Sequence, residues 1–141
     1  MNLSRRRALA LGGAVVTVSL VPVSMAFALT EETQGVIDAF TGGAAVAEGG
    51  VTLTMPELAE NGGAVPMTVA APGAVSIVIV ADGNPRPEVI TFNFEELSGN
   101  SEASTRIRLA QTQSVIAVAE MADGSFASTS VEVSVTLGGC G

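Results

Sequence analysis

From residue 51 onward the chain is a succession of short apolar runs, each closed by a turn signal, and this pattern points to an all-β fold. Residues 51–55 alternate, Asn61-Gly62-Gly63 marks a turn, and 65–69 form the next run. Residues 75–81 are almost wholly apolar, which predicts a central strand covered on both faces. Asp82-Gly83-Asn84-Pro85 ends that run, and Pro85 with Pro87 stiffens the loop. Residues 89–94 follow, then a polar loop over 98–102. In 105–109, Ile107 and Leu109 share one face and Arg106 and Arg108 the other. Residues 114–121 make another strand, and Asp123-Gly124 is a hairpin signal. The last run alternates most cleanly: Val131, Val133, Val135 and Leu137 point one way, Glu132, Ser134 and Thr136 the other.

Ahead of these runs, residues 30–40 read as a short helix. Thr30 can cap it, Glu31 and Glu32 suit its positive end, and Val36, Ile37 and Phe40 share a face. Gly42-Gly43 stops it, while Gly35 weakens its middle. The expected fold is an immunoglobulin-like antiparallel β-sandwich of about seven strands with a short N-terminal helix. A single cysteine excludes the internal disulfide of antibody domains.

Residues 1–28 read as an export signal. Ser4-Arg5-Arg6-Arg7 supplies a basic start, residues 8–23 are uncharged and apolar, and Ala26-Phe27-Ala28 is a small-x-small cleavage site. The stretch is short and rich in Ala, Gly and Pro for a membrane span. Ser4-Arg5-Arg6 before a mildly apolar segment favours the twin-arginine route, although Ala8 stands where that signal usually has phenylalanine; a plain basic start for the general route is the alternative. Cleavage after Ala28 would deliver the chain to the periplasm. The expected organisation is a signal peptide at 1–28, one sandwich domain at 29–137 and a glycine-rich tail at 138–141.

Three of the six arginines lie in the signal. Residues 29–141 keep Arg86, Arg106 and Arg108 against 14 acids, a net charge of −11. That balance argues against nucleic-acid binding, which needs clustered cations. Arg106 and Arg108 read as a solvated face. The chain has no His, Lys, Trp or Tyr. It therefore lacks the commonest general base and metal ligand, and one cysteine cannot build a zinc site. No metal site, no cofactor and no autonomous catalysis are expected.

The one reactive group is Cys140, in Gly138-Gly139-Cys140-Gly141 directly after the last strand. Gly138 and Gly139 lack Cβ atoms and rotate widely, so they suit a swinging arm rather than a fixed pocket. Four extended residues reach about 13 Å, at about 3.3 Å each. Such an arm could enter another enzyme's cleft, and Gly141 adds no bulk beyond the sulfur. No basic residue nearby in sequence would ionise the thiol, so a partner enzyme must activate it. The rival reading is a structural sandwich domain that uses Cys140 for an intermolecular disulfide, giving a linked homodimer.

These residues resemble the Y subunit of the Sox thiosulfate-oxidation system, the SoxY sulfur-carrier family, marked by a Gly-Gly-Cys-Gly-Gly tail after a final strand. Residues 133–141 (VSVTLGGCG) match it one glycine short. Further similar stretches are 51–64 (VTLTMPELAENGGA), 84–88 (NPRPE), 104–113 (STRIRLAQTQ) and 118–126 (VAEMADGSF). The resemblance implies an immunoglobulin-like sandwich that forms a heterodimer with SoxZ. It implies Cys140 as the covalent attachment site for thiosulfate-derived sulfur, with Gly138, Gly139 and Gly141 as the arm. It implies transient contacts with a haem cytochrome that loads the thiol, a metal-dependent hydrolase that releases sulfate, and a sulfur dehydrogenase.

Overall fold

The computed structural model describes residues 29–95 and 101–136. The expected export signal, residues 96–100 and the tail with Gly138, Gly139, Cys140 and Gly141 lie outside the described residues.

One helix precedes nine strands: α1 (Glu31–Thr41), β1 (Val46–Glu48), β2 (Thr52–Thr54), β3 (Leu58–Ala59), β4 (Val65–Ala70), β5 (Ala74–Ala81), β6 (Glu88–Asn93), β7 (Glu102–Ile107), β8 (Gln113–Met121) and β9 (Phe126–Val135). The larger sheet runs β1-β9-β8-β5-β6, with β3 joined to β9, and the smaller one runs β2-β4-β7. The two sheets make the expected sandwich.

Alternation explains the core between the sheets. Val65, Met67 and Val69 of β4 and Ile107 of β7 face Ile77 and Ile79 of β5, Val115 and Ala117 of β8, and Val133 and Val135 of β9. The strands β5 and β8 are also covered on their other face. There Val78, Val80, Ile116 and Val118 lie under Ile37 of α1, with Leu29, Val36, Phe40 and Val46 around them. That second cover is why the sequence of β5 reads as continuous apolar residues rather than alternating ones. Burying one side chain such as Ile37 stabilises the docked helix by roughly 1.5–3 kcal/mol. Phe40 adds an edge-to-face contact with Phe126, with ring centroids 6.0 Å apart at 70°.

The helix ends follow the sequence. Thr30 Oγ1 accepts from the Thr33 N–H at 3.2 Å, and Gly42, at φ 67°, closes the last turn. Asp82, just past β5, accepts from the Thr30 N–H and approaches the Thr30 hydroxyl, both at 3.1 Å. Burial acts to raise the Asp82 pKa, but hydrogen bonds from the Thr33 hydroxyl and from the Thr30 amide and hydroxyl outweigh it and hold the carboxyl below its usual value. The same carboxylate also faces the positive end of the helix.

All seven runs read from the sequence are strands, but their limits differ. β7 begins at Glu102, inside the stretch expected to be loop, because Glu102 and Ser104 pair with Ala70 and Thr68 of β4 while their side chains face solvent. β9 begins at Phe126, five residues before the clean alternation, and pairs along β8 from Glu120 to Gln113. Two further strands, β1 and β3, are two or three residues long and both run parallel to β9. They exist because the edge of β9 offers them hydrogen-bonding partners, not through any pattern of their own.

Candidate functional site

Cys140 is four residues beyond Thr136, the last described residue, so what the structure defines is the mount from which the tail departs. Strand β9 is held firmly there. The N–H groups of Ser134 and Thr136 donate to the carbonyls of Glu57 and Ala59 at 2.9 and 3.1 Å, and the Val135 N–H donates to Thr112 Oγ1 at 2.9 Å. Both edges of the strand are thus engaged up to the final described residue. Val133 and Val135 anchor the same segment in the core.

Two loops close around this end. The loop after β3 turns at Asn61, whose side-chain oxygen accepts from the Gly63 N–H at 3.0 Å. Gly62 accepts from the Leu109 N–H at 2.7 Å. A Cβ at position 62 would lie 2.5 Å from the Leu109 carbonyl oxygen and 3.0 Å from Val135 Cγ1, so only glycine permits this approach.

The second loop is the Asn84-Pro85-Arg86-Pro87 turn. Asn84 donates its amide to the Arg108 carbonyl at 2.7 Å and accepts from the Ala110 N–H at 2.9 Å and from Gln113 Nε2 at 2.8 Å. Gln113 is buried; its Oε1 accepts from the Gly83 N–H at 2.7 Å and its Nε2 also donates to the Gln111 carbonyl at 3.0 Å. Gly83 is pressed against it, since a Cβ there would lie 2.8 Å from that of Gln113. These bonds fix the 108–113 segment that in turn braces Val135 through Thr112. Buried amides of this kind are costly to leave unpaired, so the network is held as a unit.

The structure therefore brings together three stretches that the sequence offered only as points of resemblance: the end of 51–64, the start of 84–88 and the end of 104–113. Arg106 and Arg108 are exposed on one face, as expected. Asn84, Thr112 and Gln113 carried no assigned role in the sequence. The available signal was a cluster of Asn, Gln and Thr around an otherwise apolar strand; the pairing of Gln113 with Asn84 across 29 residues leaves no local mark.

Comparison with known proteins fits this arrangement. A family model described as sulfur oxidation protein SoxY matches residues 37–140. The solved structure of the sulfur carrier protein SoxY from Chlorobium limicola f thiosulfatophilum is 33% identical over 75% of this chain and 97% of its own, with a TM-score of 0.66. A superoxide reductase (neelaredoxin) from Ignicoccus hospitalis is similar in fold only, at 12% identity, covering 62% of this chain and 81% of its own, with a TM-score of 0.56. No match was found among curated protein sequences. With the family model spanning most of the chain, and its last residue falling on Cys140, this protein belongs to the SoxY family of sulfur oxidation proteins.

Proposed function

We propose that this chain is a periplasmic sulfur carrier that holds thiosulfate-derived intermediates covalently on Cys140 and presents them to the Sox enzymes. The observation that carries the reading is the mount. β9 is bonded on both edges through Thr136, and Gly138-Gly139 then separates that rigid base from the only thiol in the chain. A fixed base with a glycine hinge lets the sulfur search a short radius while the domain stays docked. The family match extends to Cys140, and the Chlorobium relative is itself a sulfur carrier.

The chemistry balances as follows. The Cys140 thiol and thiosulfate join sulfur to sulfur, giving a cysteine S-thiosulfonate. One proton is released and two electrons pass to the haem cytochrome. Water then cleaves the bond to the terminal sulfonate, releasing sulfate and leaving a persulfide on Cys140. A sulfur dehydrogenase removes electrons from that remaining sulfur. The chain supplies the handle and its partners supply the catalysis, since no His or Lys is present to activate the thiol. SoxZ is the proposed heterodimer partner, and the twin-arginine route the proposed export path.

Intact-mass spectrometry after incubation with thiosulfate and the Sox haem cytochrome tests the reading. The wild type gains one thiosulfonate group and Cys140→Ser gains none. An adduct that persists in Cys140→Ser would end it. Replacing Arg5 and Arg6 by Lys is expected to stop periplasmic accumulation; unchanged export would exclude the twin-arginine route.

A further inference from the structure

A groove of about 290 Å³ opens beside the end of β9, lined by the Glu60 to Gly63 turn, Arg108 to Ala110, Val135 and Thr136. Arg108 is exposed there, and no carboxylate pairs with it among the described residues. All three arginines outside the export segment gather at this end. Arg106 lies two residues back on the same face, and Arg86 follows Asn84, whose amide holds the Arg108 carbonyl. The groove contains one acid, Glu60. In a domain of net charge −11 this is the one place where cations are concentrated.

The tail can reach it. Leu137-Gly138-Gly139-Cys140 places a Gly-Gly pair between two flanking residues, the sequence of a two-residue hairpin loop. Such a turn brings its first and fourth Cα atoms to within about 7 Å, which returns Cys140 to the side of Thr136. We propose that when Cys140 carries an S-thiosulfonate, residues 137–141 fold back over this groove and the sulfonate pairs with Arg108. The inference rests on Cys140 bearing such an adduct.

Charge selects the occupant. Free sulfate or thiosulfate approaching an acidic domain is repelled at long range and binds a single exposed arginine weakly. A tethered sulfonate faces no such penalty of encounter, because a short linker holds it at an effective concentration on the order of millimolar. Once sulfate has left, the persulfide lacks the three sulfonate oxygens and with them the bidentate partner of the guanidinium. The subsite thus separates the sulfonate-loaded form, folded back, from the stripped form, released.

The test needs no Sox enzyme, so its failure is distinct from failure of the carrier reading. Tetrathionate loads the thiolate directly, displacing thiosulfate and leaving cysteine S-thiosulfonate. Methyl methanethiosulfonate leaves a neutral methyl disulfide and releases methanesulfinate. The sulfonate adduct, and not the methyl one, is expected to shift the NMR amide signals of Gly62, Gly63 and Ala110. Arg108→Gln is expected to abolish that difference and to speed removal of the sulfonate adduct by dithiothreitol about two- to fivefold, the range of an exposed ion pair. Arg106→Gln is expected to leave both unchanged. Identical shifts for the two adducts, or an Arg108→Gln protein indistinguishable from wild type, would overturn the proposal.

Discussion

The middle of the sandwich and the end where β9 leaves it are built on opposite principles. In the middle, β5 and β8 are apolar on both faces, packed by β4 and β7 on one side and by α1 on the other. At the end, the structure is held by amides, hydroxyls and two close-approach glycines acting on backbone groups. The first region supplies stability through area removed from water, which tolerates many apolar substitutions of similar volume. The second supplies position, which depends on a few directional bonds. A carrier needs both, because a tail can be delivered reproducibly only from a fixed origin.

The sharpest way to break the comparison is at Ile77, fully buried between the sheets. Ile77→Ala is expected to cost about 2–5 kcal/mol in denaturant unfolding, yet the folded fraction should load thiosulfate as wild type does. Gly62→Ala should cost less, about 1–3 kcal/mol, through the clash with the Leu109 carbonyl and Val135. It should also slow turnover of the loaded carrier by the hydrolase more than Ile77→Ala does. Equal turnover in the two variants would dissolve the distinction between stability and position. Asn84→Ala removes the partner of Arg108, Ala110 and Gln113 together, with an expected cost of about 1–3 kcal/mol and the same bias toward slowed turnover.

The smallest effect lies on the helix side. The Asp82 pKa is lowered in the fold, so the stability it contributes is present above the unfolded-state value and is lost as pH falls through the folded one. Asp82→Asn should therefore flatten the acid limb of a stability-versus-pH curve while changing stability at neutral pH by about 1 kcal/mol or less. An unchanged acid limb would show that the carboxylate does not link α1 to β5.

The same division sets what the sequence reveals. The strands and the cap at Thr30 are legible because alternation and capping are local patterns. The apolar run of β5 also announced a second cover, which proved to be α1. By contrast, Val46–Glu48 and Leu58–Ala59 become strands only because β9 lies beside them, and the start of β7 at Glu102 follows from pairing with β4. The tail was conspicuous from its residues alone. Its mount was not, because the Gln113–Asn84 bond and the Gly62 approach to Leu109 join positions 29 and 47 residues apart.

Reconstituted thiosulfate oxidation, with the Sox cytochrome, hydrolase and dehydrogenase and with carrier as the only variable, bears most directly on the account. Wild-type carrier should sustain electron transfer from thiosulfate, and Cys140→Ser, folded and equally stable, should reduce it to the carrier-free background. A Cys140→Ser carrier that sustains the wild-type rate would contradict the assignment of the sulfur to that residue.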